Sequence, residues 1–159
     1  VNVTIPQGVD NGMQIRLRGE GEGGLRGGPP GDLMVVIQVR PHPLFQRSGD
    51  DVVLVLPINV AQAALGAELT VPTVDGDEPL TVPPGTQHEQ VFRIRGKGSP
   101  RLRGGGRGDQ LVVTQLVVPT DLTDRQRDLL EELAAEWGTE PLDKRDEGFF
   151  GKIKDALGF

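Results

Sequence analysis

The sequence predicts a mostly β protein built on an internal duplication and followed by a C-terminal helix. Four observations carry that prediction. Of 159 residues, 36% are apolar but only 4% are aromatic. Any core must therefore be made mainly of Val, Leu and Ile, and β-branched side chains suit a pleated sheet. The 23 Gly and 13 Pro demand frequent turns and argue against a helical bundle. Separate blocks of sequence recur at one constant offset of 77 residues. After Val118 the apolar period changes from that of a strand to that of a helix.

The duplication comes first in the chain. Ile5-Pro6-Gln7-Gly8 returns as Val82-Pro83-Pro84-Gly85. Ile15-Arg16-Leu17-Arg18-Gly19-Glu20-Gly21 returns as Phe92-Arg93-Ile94-Arg95-Gly96-Lys97-Gly98. Gly31-Asp32 returns as Gly108-Asp109. Each copy spells a short strand ending at Pro and a Gly turn, then an alternating strand. The apolar positions of that strand are Met13, Ile15 and Leu17 in one copy and Phe92 and Ile94 in the other. A Gly-rich loop follows, whose backbone needs angles closed to other residues. A longer strand, Leu33–Val39 or Gln110–Val118, closes the unit.

The second copy also has a front half. Asp51–Leu56 alternates as a strand, and Val60–Leu65 reads as a short helix ended by Gly66 in the left-handed cap role. Glu68–Val71 and Pro79–Val82 flank an Asp75-Gly76 hairpin signal. Residues 1–40 are thus expected to be the rear part of a first β-domain, and 41–118 a second. Beginning at Val1 rather than Met, the chain is expected to start inside a longer protein. Some sheet edge and apolar surface of the first copy should then be exposed.

Residues 119–138 read as a helical segment. Thr123 is placed as N-cap with Gln126 completing a capping box, and Gly138 as the stop. Leu122, Leu129, Leu130, Leu133 and Trp137 fall mainly on one stripe. Residues 139–159 read as a charged linker and an amphipathic tail carrying Phe149, Phe150, Ile153 and Leu157. The stripe could cap the second domain or meet a partner helix. The second is favoured, because the repeat unit is already complete before the helix begins.

Several chemistries are weighed and set aside. The net charge of −6 gives no general attraction to nucleic acid. The stretch from Arg93 to Arg107 is basic, but it lacks the aromatic platforms on which bases stack. Gly19–Gly24 matches a dinucleotide-binding spacing, yet a Gly/Pro-rich loop follows it where a phosphate-binding helix would stand. Arg107-Gly108-Asp109 is an adhesion-type tripeptide better explained by the repeat. Without Cys there is no disulfide and no thiolate metal site. His42 and His88 lie in turns with no metal-ligand spacing. Ser48 and Ser99 sit in loops without a base beside them, so no enzyme activity is expected. No apolar run approaches the length of a membrane helix, and no signal peptide is read.

The same residues resemble a family. Val3–Gly12, with Ile15–Gly21 after it, resembles the strand that follows the zinc module of DnaJ-type co-chaperones. Pro41–Arg47 resembles the junction between their two C-terminal domains. Pro57-Ile58-Asn59, Ala63–Gly66, Val71-Pro72-Thr73 and Asp75-Gly76 are the most specific stretch, and Phe92–Gly98 is similarly diagnostic. The resemblance implies two tandem β-sandwich or barrel-like domains, the first truncated, and a dimerisation helix formed by Leu122, Leu129, Leu130, Leu133 and Trp137. It implies binding of unfolded polypeptide and delivery to a DnaK-type chaperone, in the cytoplasm, as a homodimer. It places client contacts at Val1 and Val35, and Val3 and Ile37 share their strand faces by the two-residue period. The family's zinc module and J-domain are absent from this chain, so no zinc or other cofactor is expected. The alternative is a β-scaffold that recruits a partner through Phe149 and Phe150 of its tail.

Overall fold

The computed structural model describes residues 2–139, which fall into two compact units divided after Val118. The fold is mostly β with a C-terminal helix, as expected, and the described strands form no closed barrel. The repeat is reproduced pair by pair. Strand β1 (Gln14–Leu17) runs antiparallel to β2 (Leu33–Val36), with Gln14 opposite Val36 and Leu17 opposite Leu33. The sequence equivalents of those four residues are paired in the second copy, Val91 opposite Val113 and Ile94 opposite Gln110.

The second copy is a two-layer sandwich. One layer is a mixed sheet in the order β3 (Phe45–Ser48), β4 (Asp51–Ile58), β8 (Gln110–Leu116), β7 (Val91–Ile94). Within it β4 and β8 are parallel, and the other neighbours are antiparallel. Helix α1 (Val60–Leu65) and the hairpin β5 (Ala67–Thr73) and β6 (Gly76–Val82) lie between β4 and β7 in the chain. Leu54, Ile58, Ala63, Val71, Leu80, Val82 and Val112 form one buried cluster, joining residues of the sheet, the helix and the hairpin. Phe45, Leu56 and Phe92 pack against it. One face of β4 is therefore apolar because it looks into this cluster.

Several boundaries differ from the sequence reading, each for a local reason. Val3–Ile5 is extended but not in a ladder, whereas its equivalent in the second copy is part of β6 and pairs with β5. The residues that would correspond to β5 in the first copy, 77 positions earlier, lie outside the sequence. Strand β3 was not anticipated: Gln46, Arg47 and Ser48 carry no apolar alternation, and the strand forms because Gly49, at φ 63°, turns the chain back onto β4. The closing strands stop at Val36 and Leu116, short of Val39 and Val118. Gly66 does take a positive φ of 82°, but with ψ 161° it is not a left-handed helical cap. In the hairpin Thr73 is opposite Gly76, and it is Gly76, at φ 117°, that takes the positive angle.

The second unit contains α2 (Asp124–Trp137). Its Thr123 and Gln126 form the expected reciprocal capping box, and Gly138 at φ 73° ends it. The tail residues Phe149, Phe150, Ile153 and Leu157 lie outside the described residues, as does Val1.

Candidate functional site

The strand alternation of the first copy puts Ile15 and Leu17 on one face of β1, opposite Val35 and Leu33 of β2. All four are half-buried. Their counterparts in the second copy are Phe92, Ile94, Val112 and Gln110, and there Val112 and Gln110 are completely buried. On that face β8 is completely buried and β2 is half-buried, while β1 and β7 are half-buried alike; the positions 77 residues before β4, α1 and β5 lie outside the sequence. On the opposite face of β2, Met34 and Val36 are about half exposed, at 49% and 55%.

Among the residues expected to contact a client, Val35 stands at the centre of this face, directly across from Ile15. Ile37, on the same face as Val35 by the two-residue period, is buried at 8% exposure. Val3 is half-buried in the extended segment ahead of β1, outside the two-strand ladder. Ile15, Leu17 and Leu33 belong to the face but were not assigned to it. The alternation that defined the strands was the signal for them.

Each Gly-rich loop is held by one device, repeated in both copies. Asp32 accepts hydrogen bonds from the Gly19 N–H at 2.9 Å and from Arg16, with which it also forms an ion pair. Asp109 accepts from the Gly96 N–H at 2.8 Å and from Arg93 at 2.7 Å. The Gly96 N–H, and after it Arg93, hold the Asp109 carboxyl below the usual carboxylate range, and Arg93 is raised in turn by its bond to Asp109. The Gly-Asp pair is therefore a loop clasp, and Asp109 is not available as part of an adhesion tripeptide.

Four cations of the basic stretch, Arg93, Lys97, Arg101 and Arg107, are paired within the fold. Arg107 binds both oxygens of Asp75 at 2.8 Å, Lys97 reaches Glu78 at 2.6 Å, and Arg101 lies 3.4 Å from Asp50. The hydrogen bond from Arg107, then the charges of Arg107 and Lys97, hold Asp75 below its ordinary value against an opposing effect of burial. Arg107 and Lys97 tie the hairpin tip, and Arg101 the β3–β4 turn, to the loop of the second copy, so these cations do not form a free electropositive track for a phosphate backbone.

Arg47 of β3 binds the first copy to the second. Its guanidinium donates to the carbonyls of Gly8 (3.0 Å), Val9 and Gly49 (2.8 Å), and it pairs with Asp10 at 3.1 Å. Gly8 itself lies so close to the second copy's loop that a Cβ there would stand 2.2 Å from the Pro100 oxygen. Sequence patterning missed this contact, since a lone Arg in a polar strand carries no signature. A cleft of about 740 Å³ beside it is lined by Asn11, Val39, His42, Phe45 and Arg47 among others. Its His42 stacks on Phe45 and accepts from the Leu44 and Phe45 N–H groups, so the ring is committed to the turn. His88 likewise accepts from the Leu116 N–H. Among the described residues no cluster of His and carboxylates is arranged to hold a metal ion.

In α2, Leu129, Leu130, Leu133 and Trp137 recur at three- and four-residue spacing. None is buried, and Trp137 is 61% exposed. Leu122 precedes the N-cap and is half-buried. No described helix is long and apolar enough to cross a membrane.

A duplicated β-module followed by a helix with an exposed apolar stripe defines a scaffold that presents surfaces. Comparison with known proteins names the kind. The family model described as "DnaJ C terminal domain" matches residues 1–119, and one described as "Chaperone protein DnaJ C-terminal region" matches residues 125–158. The chain belongs to the DnaJ C-terminal domain family. It is similar to proteins named Chaperone protein DnaJ from Roseiflexus sp. (strain RS-1), 62% identical over 99% of this chain and 43% of that protein, and from Brevibacillus choshinensis, 53% identical over 99% of this chain and 42% of that protein. The chain therefore spans less than half the length of these curated relatives.

Proposed function

We propose that this chain is the client-binding and dimerising part of a co-chaperone: it holds non-native polypeptide and, within a longer protein, passes it to a DnaK-type ATPase chaperone in the cytoplasm. It works by binding, without catalysis and without a cofactor of its own. The observation that supports this reading is the match of residues 1–119 to the DnaJ C terminal domain, with the apolar face around Val35 as its candidate contact surface. An extended client segment gains main-chain hydrogen bonds at a strand edge, which tolerate any sequence, and apolar contacts on the face, which supply affinity. Val1, Val3, Val35 and Ile37 are the client-contact residues in this reading, with Ile37 buried in the unbound chain.

Residues 1–40 are then the rear of a first client-binding domain, 41–118 a second domain, and 119–138 the dimerisation element. Leu122, Leu129, Leu130, Leu133 and Trp137 meet the same residues of a second chain. Pairing two weak client sites raises avidity by roughly 10²–10⁴-fold when both engage one client.

Two measurements test this. The chain should slow aggregation of a heat-unfolded protein without ATP, and Val35→Asp should abolish that effect while leaving α2 and the second-copy core folded by circular dichroism. If Val35→Asp protects as well as the parent, the client site is elsewhere. For dimerisation, Trp137→Ala should weaken self-association by about 30- to 1,000-fold, the range for losing ~2–4 kcal/mol at a central aromatic anchor. A parent chain that sediments as a monomer at tens of micromolar ends that part of the proposal.

A further inference from the structure

Both histidines of the chain use Nδ1 as an acceptor for main-chain N–H groups, and the repeat gives one of them a twin that is not a histidine. At the end of the second copy's closing strand, the Leu116 N–H donates to His88 Nδ1 at 3.1 Å. At the matching place in the first copy, 77 residues earlier, an amide makes the bond: the Val39 N–H donates to Asn11 Oδ1 at 2.9 Å. The turns that carry the two side chains are equivalent as well. The Gly12 N–H donates to the Ile37 carbonyl and the Glu89 N–H to the Thr114 carbonyl, both at 2.8 Å. The position therefore calls for an acceptor, and the two copies fill it with groups of different acid–base chemistry.

A main-chain N–H can only donate, so the bonded nitrogen of His88 is bare and the proton of the neutral ring sits on Nε2. An imidazolium carries hydrogen on both nitrogens and accepts nothing, whereas an amide oxygen remains an acceptor. A cleft of about 300 Å³ beside the ring is lined by uncharged residues of α1, of the Gly85–Gln87 turn and by Leu116. Among the described residues, the ionisable group facing the ring is Glu89, whose Oε1 lies 3.8 Å from Nε2. Both side chains are more than half exposed, so the pair is a weak one. Protonation leaves Glu89 beside Nε2 and sets two donors, the Leu116 N–H and a new Nδ1–H, against each other.

We infer that His88 is a pH-sensitive latch on the closing strand of the second copy: the neutral ring holds the Leu116 N–H, and the protonated ring releases it. The next N–H, that of Val117, donates to the Ile58 carbonyl of β4 at 2.8 Å. The strand end is thus gripped from two sides when the ring is neutral and from one side in mild acid. The end so loosened is the one from which the chain continues toward α2. The matching end of the first copy, held by Asn11, does not respond.

The test is amide exchange by NMR on the full chain between about pH 7.5 and pH 5, the interval in which imidazoles change charge. Each rate is divided by that of an unfolded chain at the same pH. Protection of Leu116 should fall about two- to tenfold, the range for losing one hydrogen bond, in step with the nitrogen-15 shift of His88 Nδ1. Protection of Val39 should stay constant. His42 holds Leu44 and Phe45 instead, so Leu116 reports on His88 separately. His88→Asn should make Leu116 as indifferent to pH as Val39, and Asn11→His should transfer the response to Val39. A ring that stays neutral at the acid end, or takes up its proton while Leu116 keeps its protection, overturns the inference. So does a fall at Leu116 that persists in His88→Asn, or an equal fall at Val39 in the parent chain. If either variant fails to fold, the parent's own shift and exchange curves decide the matter.

Discussion

The two copies share a ladder, a loop clasp and a set of glycine angles, yet they are solvated differently. From Gln14 to Ile37 and from Val91 to Thr114 the backbones pair alike. Among the described residues, only the second has β4, α1 and the β5–β6 hairpin laid over its inner face. The comparison separates what a local sequence dictates from what its surroundings add. Pairing, turns and clasps follow from the repeated residues. Burial does not.

Substitutions at matched positions can break or sharpen this comparison. The largest difference is expected at the paired turns Gly8 and Gly85, which adopt φ values of 82° and 80°. Gly85→Ala meets open space and should cost ~1–2 kcal/mol for the left-handed backbone alone. Gly8→Ala adds a clash with the Pro100 main chain and should cost roughly 2–5 kcal/mol in urea unfolding. Equal costs would mean that the first copy does not press on the second at Gly8.

Next come the twin valines. Val112→Ala empties a fully buried site and should cost about 2–3 kcal/mol, whereas Val35→Ala on the accessible face should cost about 1 kcal/mol or less. Denaturant midpoints of the two variants decide it, and parity would show that the first face is covered in solution.

Acid sharpens the view of the clasps. Asp109 and Asp75 have folded pKa values below their unfolded ones. The unfolded chain therefore binds more protons, and stability rises with pH across that interval. Their contribution is fully present above the unfolded carboxylate value of about 3.9 and is lost as pH falls through the lower folded values. Melting temperatures between pH 5 and pH 2 should fall less steeply for Asp109→Asn or Asp75→Asn than for the parent. An unchanged slope would remove these carboxylates from the acid response.

The smallest effect should favour stability. Glu89 holds φ 60° where the first copy has Gly12 at 81°, and each N–H donates to the equivalent carbonyl at 2.8 Å. Glu89→Gly should relieve strain and raise stability by up to about 1 kcal/mol, seen as a melting point a few degrees higher. A fall in melting point would show that the Glu side chain repays its backbone.

Much of this was legible in the sequence because the residues repeat. The 77-residue offset located both ladders and the paired Gly-Asp positions, while cap residues and apolar spacing located the elements Val60–Leu65 and Asp124–Trp137. The parallel pairing of β4 with β8 was not legible, since a strand's alternation gives its faces but not its neighbours. Strand β3 escaped because Gln46, Arg47 and Ser48 are solvated and show no period. Of the candidate site, Val35 was reachable from pattern and resemblance, but the burial of Ile37 depends on packing that no local window contains. The Arg47 latch depends on loop carbonyls, which every residue possesses and none advertises.

The pairing of β4 with β8 also sets a clock on synthesis. Asp51 and Asp109, joined by a hydrogen bond, are 58 residues apart. At ~5–20 residues per second on a ribosome, a separation of 58 residues is on the order of three to twelve seconds of translation. Throughout that interval the nascent chain carries Leu54 and Ile58 on a strand whose second neighbour, β8, has not yet been made.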